Sequence, residues 1–322
     1  MYTIYDDWPN LANKAYTSNL ESANFENIDH IVFVGMGGSG AIGDLFASIL
    51  SKTNIHVSVV KGYLLPKTVD ENTLVVTTSV SGNTAETLTV LESAQKLDCQ
   101  IIAFCSGGKM ERFCIDNEIN FRIIHLIHSP RASFVTYVYS ILNVLHNILP
   151  IGENDILSSI DSLFVMHKQI SSNNLTDSNL AINLANWITG IPLIYYPHGL
   201  QSAAIRLKSA LQENSKIHAI AEDVIEACHN GIVAWETSSI VQPILLRGSD
   251  DYIKTKERYS IIEQYFTENN IDFKTINSVD GNILTKLISL IYLFDYTSIY
   301  FAVSAQIDPS PVVSINYIKN KI

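Results

Sequence analysis

Positive charge is what this chain has least of. Its 322 residues include 21 Lys and Arg against 32 Asp and Glu, a net charge of −11. A surface of that sign repels nucleic acid and anionic lipid, which both require basic faces, so neither is expected as a partner. Charge of either sign is sparse at 16% of residues, whereas 47% are hydrophobic, which excludes a disordered chain. Cysteine is scarce too. Cys99, Cys105, Cys114 and Cys228 make no C-x-x-C pair and no zinc spacing with histidine, so free, packed thiols in a reducing cytosol are expected. The opening stretch MYTIYDDWPNLANKAY has two early acids and lacks an apolar core, so no signal peptide and a cytoplasmic protein are expected. The single long apolar run, Leu287 to Ala305, carries Asp295 at its middle. A charge at that depth of a bilayer is costly, and the run reads as a buried helix. Internal repeats and low-complexity segments are absent.

What is present is a rhythm of apolar runs and amphipathic stretches. IVFV, IHVSVV, TLVVTTS, QIIAFCS and FRIIHLI are five strand candidates in the first half, a pattern of parallel sheet with helices on both faces. Pro, Gly and polar residues in LPIGEND, Leu149 to Asp155, mark a domain boundary, giving domains 1–150 and 151–322. The second half opens with helical patterns at Ile156 to Met166 and Leu180 to Trp187. It then returns to strands at IPLIYYP, SKIHAI, QPILLRGS and DFKTINSV, so the halves can share one architecture, and it closes on a short amphipathic helix after DPSP.

Two turns leave strands and enter helices. The first, GMGGSG from Gly35, follows the strand and precedes apolar residues at helical spacing. The first amides of a helix lack internal partners and the helix dipole adds partial positive charge, so such a turn can hold an anion, usually a phosphate. Gly35, Gly37 and Gly40 also fit the dinucleotide fingerprint. That reading requires an acid closing the second strand, where this chain has Lys61, so no nicotinamide cofactor is expected. The second turn, Thr77 to Leu91, carries hydroxyls: Ser79, Ser81 and Thr84 can donate to phosphate oxygens and Gly82 allows close backbone approach. Ordinary N-capping competes for any one of these serines. In an open parallel sheet both turns share one edge, so Ser39 and the Ser79–Thr84 loop are expected to converge.

Together these turns resemble the sugar isomerase (SIS) domain, whose S-x-S-G-x-T-x-E-T loop is matched in full from Ser79 to Thr87. SPRAS at Ser129, LKSALQENSK at Leu207 and EACHN at Glu226 are similar to the bifunctional phosphoglucose/phosphomannose isomerases. The resemblance implies an α/β fold of two flavodoxin-like SIS αβα sandwich domains with parallel sheets. It implies interconversion of glucose 6-phosphate, and mannose 6-phosphate, with fructose 6-phosphate through a cis-enediol, without cofactor or metal. Carbon acids are weak, so the base must be positioned and the developing oxyanion needs a positive partner. By the resemblance Gly38, Ser39, Ser79, Ser81 and Thr84 hold the phosphate. Glu213 is the base, Arg131, placed at the end of the fifth strand, faces the reacting oxygens, and His229, contributed by a second subunit of a homodimer, opens the ring. Lys319 reaches the same ring oxygen, and Ser310 is the small hydroxyl associated with tolerance of both C2 epimers. The sequence departs from the family's pattern at Val80, where an aromatic is usual, at Gln212, where Asn is usual, and at Cys228.

Seen singly, Glu213 reads as a surface residue at the end of an amphipathic helix, and His229, Arg131 and Lys319 have equally plain structural readings. Their joint order after two phosphate turns favours catalysis. His125 and His128 lie on or beyond a strand with no further ligand at suitable spacing, so no metal site is expected there. Two alternatives stay open: another phosphosugar as substrate, and a non-catalytic sugar-phosphate sensor.

Overall fold

A computed structural model describes residues 1–321. The chain starts with helices α1 (Tyr2–Asp6) and α2 (Trp8–Tyr16). There follow β1 (His30–Val34), α3 (Gly37–Leu50), β2 (His56–Val60), β3 (Thr73–Ser79), α4 (Ala85–Ala94), β4 (Gln100–Cys105), α5 (Gly108–Asp116), β5 (Asn120–Ile123), α6 (Phe134–Val144) and α7 (Glu153–Ile170). Beyond them lie α8 (Leu180–Trp187), β6 (Ile191–Tyr196), α9 (Gln201–Ala210), β7 (Ile220–Asp223), α10 (Val224–Ala227), β8 (Val241–Arg247), α11 (Ile253–Glu268), β9 (Lys274–Asn277), α12 (Ile283–Ser304) and α13 (Val313–Lys319).

Two compact units result: Asp6–Asp161, and Met1–Tyr5 together with the chain from Ser162 onward. The sequence places the boundary at 150/151, in the loop before α7; the units divide eleven residues further on, inside α7, and the first five residues belong with the second unit.

The first unit is built on a parallel sheet of order β2-β1-β3-β4-β5, the flavodoxin-like arrangement. Every residue of β1 and β3 is buried, which is why these strands read as continuous apolar runs rather than alternating ones. Phe33 of β1 stacks on Phe46 of α3, ring centroids 5.0 Å apart, fixing that helix against the sheet. Cys105 and Cys114 lie in the core beside Met110 and Leu91, where burial pushes the Cys114 thiol up to about 12; both serve packing.

The second unit has a parallel sheet of order β7-β6-β8-β9, the same winding short of a fifth strand. Its core holds Tyr195, Val224, Leu245, Tyr259 and Phe266. Helix α12 contains the apolar run singled out from the sequence; long and apolar enough to cross a membrane by length and composition, it is 78% buried over that window. Asp295 is wholly buried and accepts two bonds from Arg206 of α9, Nε to Oδ1 at 2.8 Å and Nη2 to Oδ2 at 2.5 Å. A planar guanidinium meets a carboxylate fork to fork there, which compensates both charges inside the unit. Burial works against the Arg206 charge, but the Asp295 carboxylate outweighs it and raises the pKa.

Three strand expectations need correction. SKIHAI is not a strand, because Leu211–Ser215 continue α9 as a π-turn and Lys216 takes a left-handed conformation, so β7 begins only at Ile220. FRIIHLI stops at Ile123: Ile124 N–H still donates to the Cys105 carbonyl, after which the chain leaves the sheet. Arg131 therefore does not end a strand but sits in the turn that enters α6.

Candidate phosphosugar site

Strands β1 and β3 are parallel neighbours, while β2 lies on the far side of β1, so the sheet's winding reverses between β1 and β3. Ligands of open α/β sheets bind at that reversal, beyond the strand C-termini. Both turns picked out from the sequence open there. Met36 and Thr84 occupy the N-cap positions of α3 and α4 in extended conformation, and neither side chain caps its helix. The competing explanation of these hydroxyls as N-caps is thus not what the structure shows. Instead Ser79 and Thr84 bond each other, Oγ to Oγ1 at 3.0 Å, and Ser39 Oγ accepts the Val80 N–H at 3.2 Å. Ser39 therefore retains its own proton to donate, as does one hydroxyl of the Ser79–Thr84 pair.

The expected convergence is directly visible in that Ser39–Val80 bond, which ties the glycine turn to the hydroxyl turn. Ser81 Oγ accepts from Asn83 N–H at 3.3 Å and shapes the tip of the loop. A third segment arrives at Gly38. A side chain there would place its first carbon 3.2 Å from the Pro130 carbonyl and 3.4 Å from the Arg131 nitrogen, so glycine is what lets the SPRAS turn approach. Arg131 is only 7% exposed. Its turn is anchored by Ser133, whose N–H donates to the Ser129 carbonyl at 3.0 Å and whose Oγ bonds both the N–H and the carbonyl of Ile127. Unit one thus brings Gly38, Ser39, Ser79, Ser81, Thr84 and the Arg131 turn to one sheet edge.

The sequence reading missed the brace behind the hydroxyl turn. Gly82 has φ +66°, and a side chain there would meet the Gly107 carbonyl oxygen at 1.7 Å. Ser106 Oγ donates to the Val80 carbonyl (2.5 Å), Met110 N–H to the Gly82 carbonyl (2.9 Å) and Lys109 N–H to Asn83 Oδ1 (3.1 Å). The signal was SGG after QIIAFC, a third strand-to-helix turn with glycines.

The remaining candidates belong to unit two. Glu213 is half-buried in the π-turn Leu211–Ser215, not at the end of a regular amphipathic helix. Single π-turns are rare and frequent at functional sites. Asn214 and Ser215 pin this one to α12 through Ser298, at 2.9 and 2.8 Å. Lys216 donates to the Glu213 carbonyl and, at 2.8 Å, to the Pro311 carbonyl, which joins the Glu213 turn to the segment holding Ser310. Ser310 is exposed, its N–H donating to Asp308 Oδ1 at 2.8 Å. His229 is exposed in the turn after α10, where its N–H donates to the Glu226 carbonyl at 2.9 Å. Lys319 lies on α13, which buries none of its residues.

Comparison with known proteins agrees with this architecture. Residues 24–146 match the SIS domain model, and residues 177–322 match the bacterial phospho-glucose isomerase C-terminal SIS domain. A bifunctional phosphoglucose/phosphomannose isomerase of Caldicellulosiruptor bescii is 31% identical over all of this chain and 98% of its own length. A D-glucosamine-6-phosphate 4-epimerase of Sulfolobus acidocaldarius is 29% identical over 74% of this chain and 73% of its own. Among solved structures, the C-terminal domain of glucosamine-fructose-6-phosphate aminotransferase from Francisella tularensis superposes with a TM-score of 0.70 at 18% identity, covering 95% of this chain and 96% of that one, a likeness of fold. On the full-length match, carried by both SIS halves, the chain belongs to the bifunctional phosphoglucose/phosphomannose isomerase family.

Proposed function

We propose that the protein interconverts fructose 6-phosphate with glucose 6-phosphate and mannose 6-phosphate by proton transfer through a cis-enediol. The observation that carries this reading is the Ser39–Val80 bond, which joins two side-chain-uncapped helix starts at the point where ligands of such sheets bind. Neutral hydroxyls and helix amides of Gly38, Ser39, Ser79, Ser81 and Thr84 hold the phosphate. Glu213 moves the proton between C1 and C2, and Arg131 stabilises the negative charge that builds on the enediol oxygens. A positioned base supplies roughly 10²- to 10⁴-fold, and charge stabilisation is usually the larger contribution.

His229 opens the sugar ring, since imidazole both accepts and donates a proton near neutral pH. Its exposure on a single chain supports the homodimer in which it serves a partner's site, and the exposed Lys319 fits the same ring-opening step. Ser310, linked through Pro311 and Lys216 to the Glu213 turn, stands where a small hydroxyl would tolerate either C2 epimer. Four free cysteines suit a cytoplasmic setting.

The test is conversion of fructose 6-phosphate by wild type and Glu213→Gln with no added metal or nucleotide. Appearance of both aldose phosphates, a loss of at least about 10²-fold in the variant and retained phosphate binding are expected. Binding without turnover would overturn the isomerase assignment. The epimerase relative favours a second reading, another phosphosugar as substrate, so glucosamine 6-phosphate belongs in the same assay.

A further inference from the structure

One more charged side chain borders the glycine turn. Lys61 directly follows β2, and because Gly35 N–H donates to the Val60 carbonyl at 3.2 Å, it leaves the sheet beside that turn. Its Cε lies 3.3 Å from where a side chain on Gly40 would begin, so the stem covers the N-terminal part of α3. Its ammonium bonds Asp44 Oδ2 at 2.5 Å; the Asp44 side chain is 15% exposed and that of Lys61 39%. Asp44 is two turns into the helix whose first amides form the phosphate cradle. An unneutralised carboxylate there would oppose both the helix dipole and a dianionic ligand. A half-exposed ion pair contributes little to stability, so its place beside an anion cradle is the informative feature.

We propose that Lys61 is a positioning residue for sugar-phosphate binding: it cancels Asp44 and keeps the start of α3 electropositive in a chain that is otherwise strongly acidic. This rests on the phosphate-binding reading of the two turns. It explains why the position where a dinucleotide enzyme carries an acid holds a base here. The signs of the substitutions separate it from a merely structural pair. Lys61→Met keeps most of the stem and removes the charge, exposing the ligand to Asp44. Asp44→Asn leaves Lys61 uncompensated. The double variant has neither charge.

Calorimetric titration of inorganic phosphate and of fructose 6-phosphate at low and high salt tests this on the full chain, with melting temperatures for all four proteins. Lys61→Met weakens both ligands about five- to tenfold, Asp44→Asn tightens them about two- to fivefold, and the double variant returns to within about twofold of wild type. All three effects shrink at high salt. If the two single variants shift affinity in the same direction, or not at all, while wild type binds, the inference is overturned and the phosphate reading stands. If wild type binds neither ligand, the phosphate reading falls and takes the inference with it.

Discussion

Gly82 concentrates the demands of the hydroxyl turn in one residue. Its backbone is left-handed and a carbonyl oxygen occupies the space a side chain would need, so Gly82→Ala must move the Gly107 turn or abandon the loop. A loss of about 1–3 kcal/mol in unfolding free energy is expected, with phosphate affinity down at least about tenfold; denaturant melts and a phosphate titration measure both. His30 sets a pH response in the same unit. Burial, and then the neighbouring His56, hold its pKa below the ordinary 6.5, while Ser58 Oγ lies 3.0 Å from Nε2. The unfolded chain therefore binds the proton more readily. Stability from this residue is intact above pH 6.5 and falls as the pH drops below it toward the lower folded value. Denaturant melts of wild type should lose stability across that interval, and His30→Asn should flatten the slope; an unchanged slope would refute the assignment.

At the scale of elements, α12 is a helix hydrophobic enough for a membrane by length and composition, yet it carries the buried Arg206–Asp295 ion pair at its middle. Asp295→Leu strands the Arg206 cation in the core and should cost about 3–5 kcal/mol, whereas Asp295→Leu combined with Arg206→Met should recover most of it. Calorimetric melting of the three proteins decides. Much at this scale was legible in the sequence. All five strands of the first sheet and the helix Leu180–Trp187 follow from apolar runs and helical spacing, and the buried character of α12 follows from the charge of Asp295 at the middle of its apolar run. The two turns were legible through their glycines and hydroxyls. What escaped depends on contacts distant in the chain. The π-turn at Glu213 is held by Ser298, more than eighty residues away, and displaced the expected strand at SKIHAI. The placement of Arg131 depends on the close approach of its turn to Gly38, far back in the first turn. Local pattern carries no trace of either.

At the scale of the molecule, the proposed dimer makes a numerical prediction. If each site joins Glu213 of one subunit to His229 of the other, Glu213→Gln and His229→Ala are each inactive alone. Mixing them and allowing subunits to exchange should restore about a quarter of wild-type activity, since half the dimers are mixed and each mixed dimer keeps one intact site. No recovery would place both groups on the same chain. The shared winding of the two sheets has its own consequence. The point of reversal in the second sheet lies after β6 and β8, and the turn after β8 presents Asp250 and Asp251, with Asp250 paired to Lys286, where the first sheet offers Ser79, Ser81 and Thr84. If the scaffold keeps its anion chemistry in the first copy alone, sugar phosphate is expected to bind at one equivalent per chain, and a titration that saturates at two would refute it.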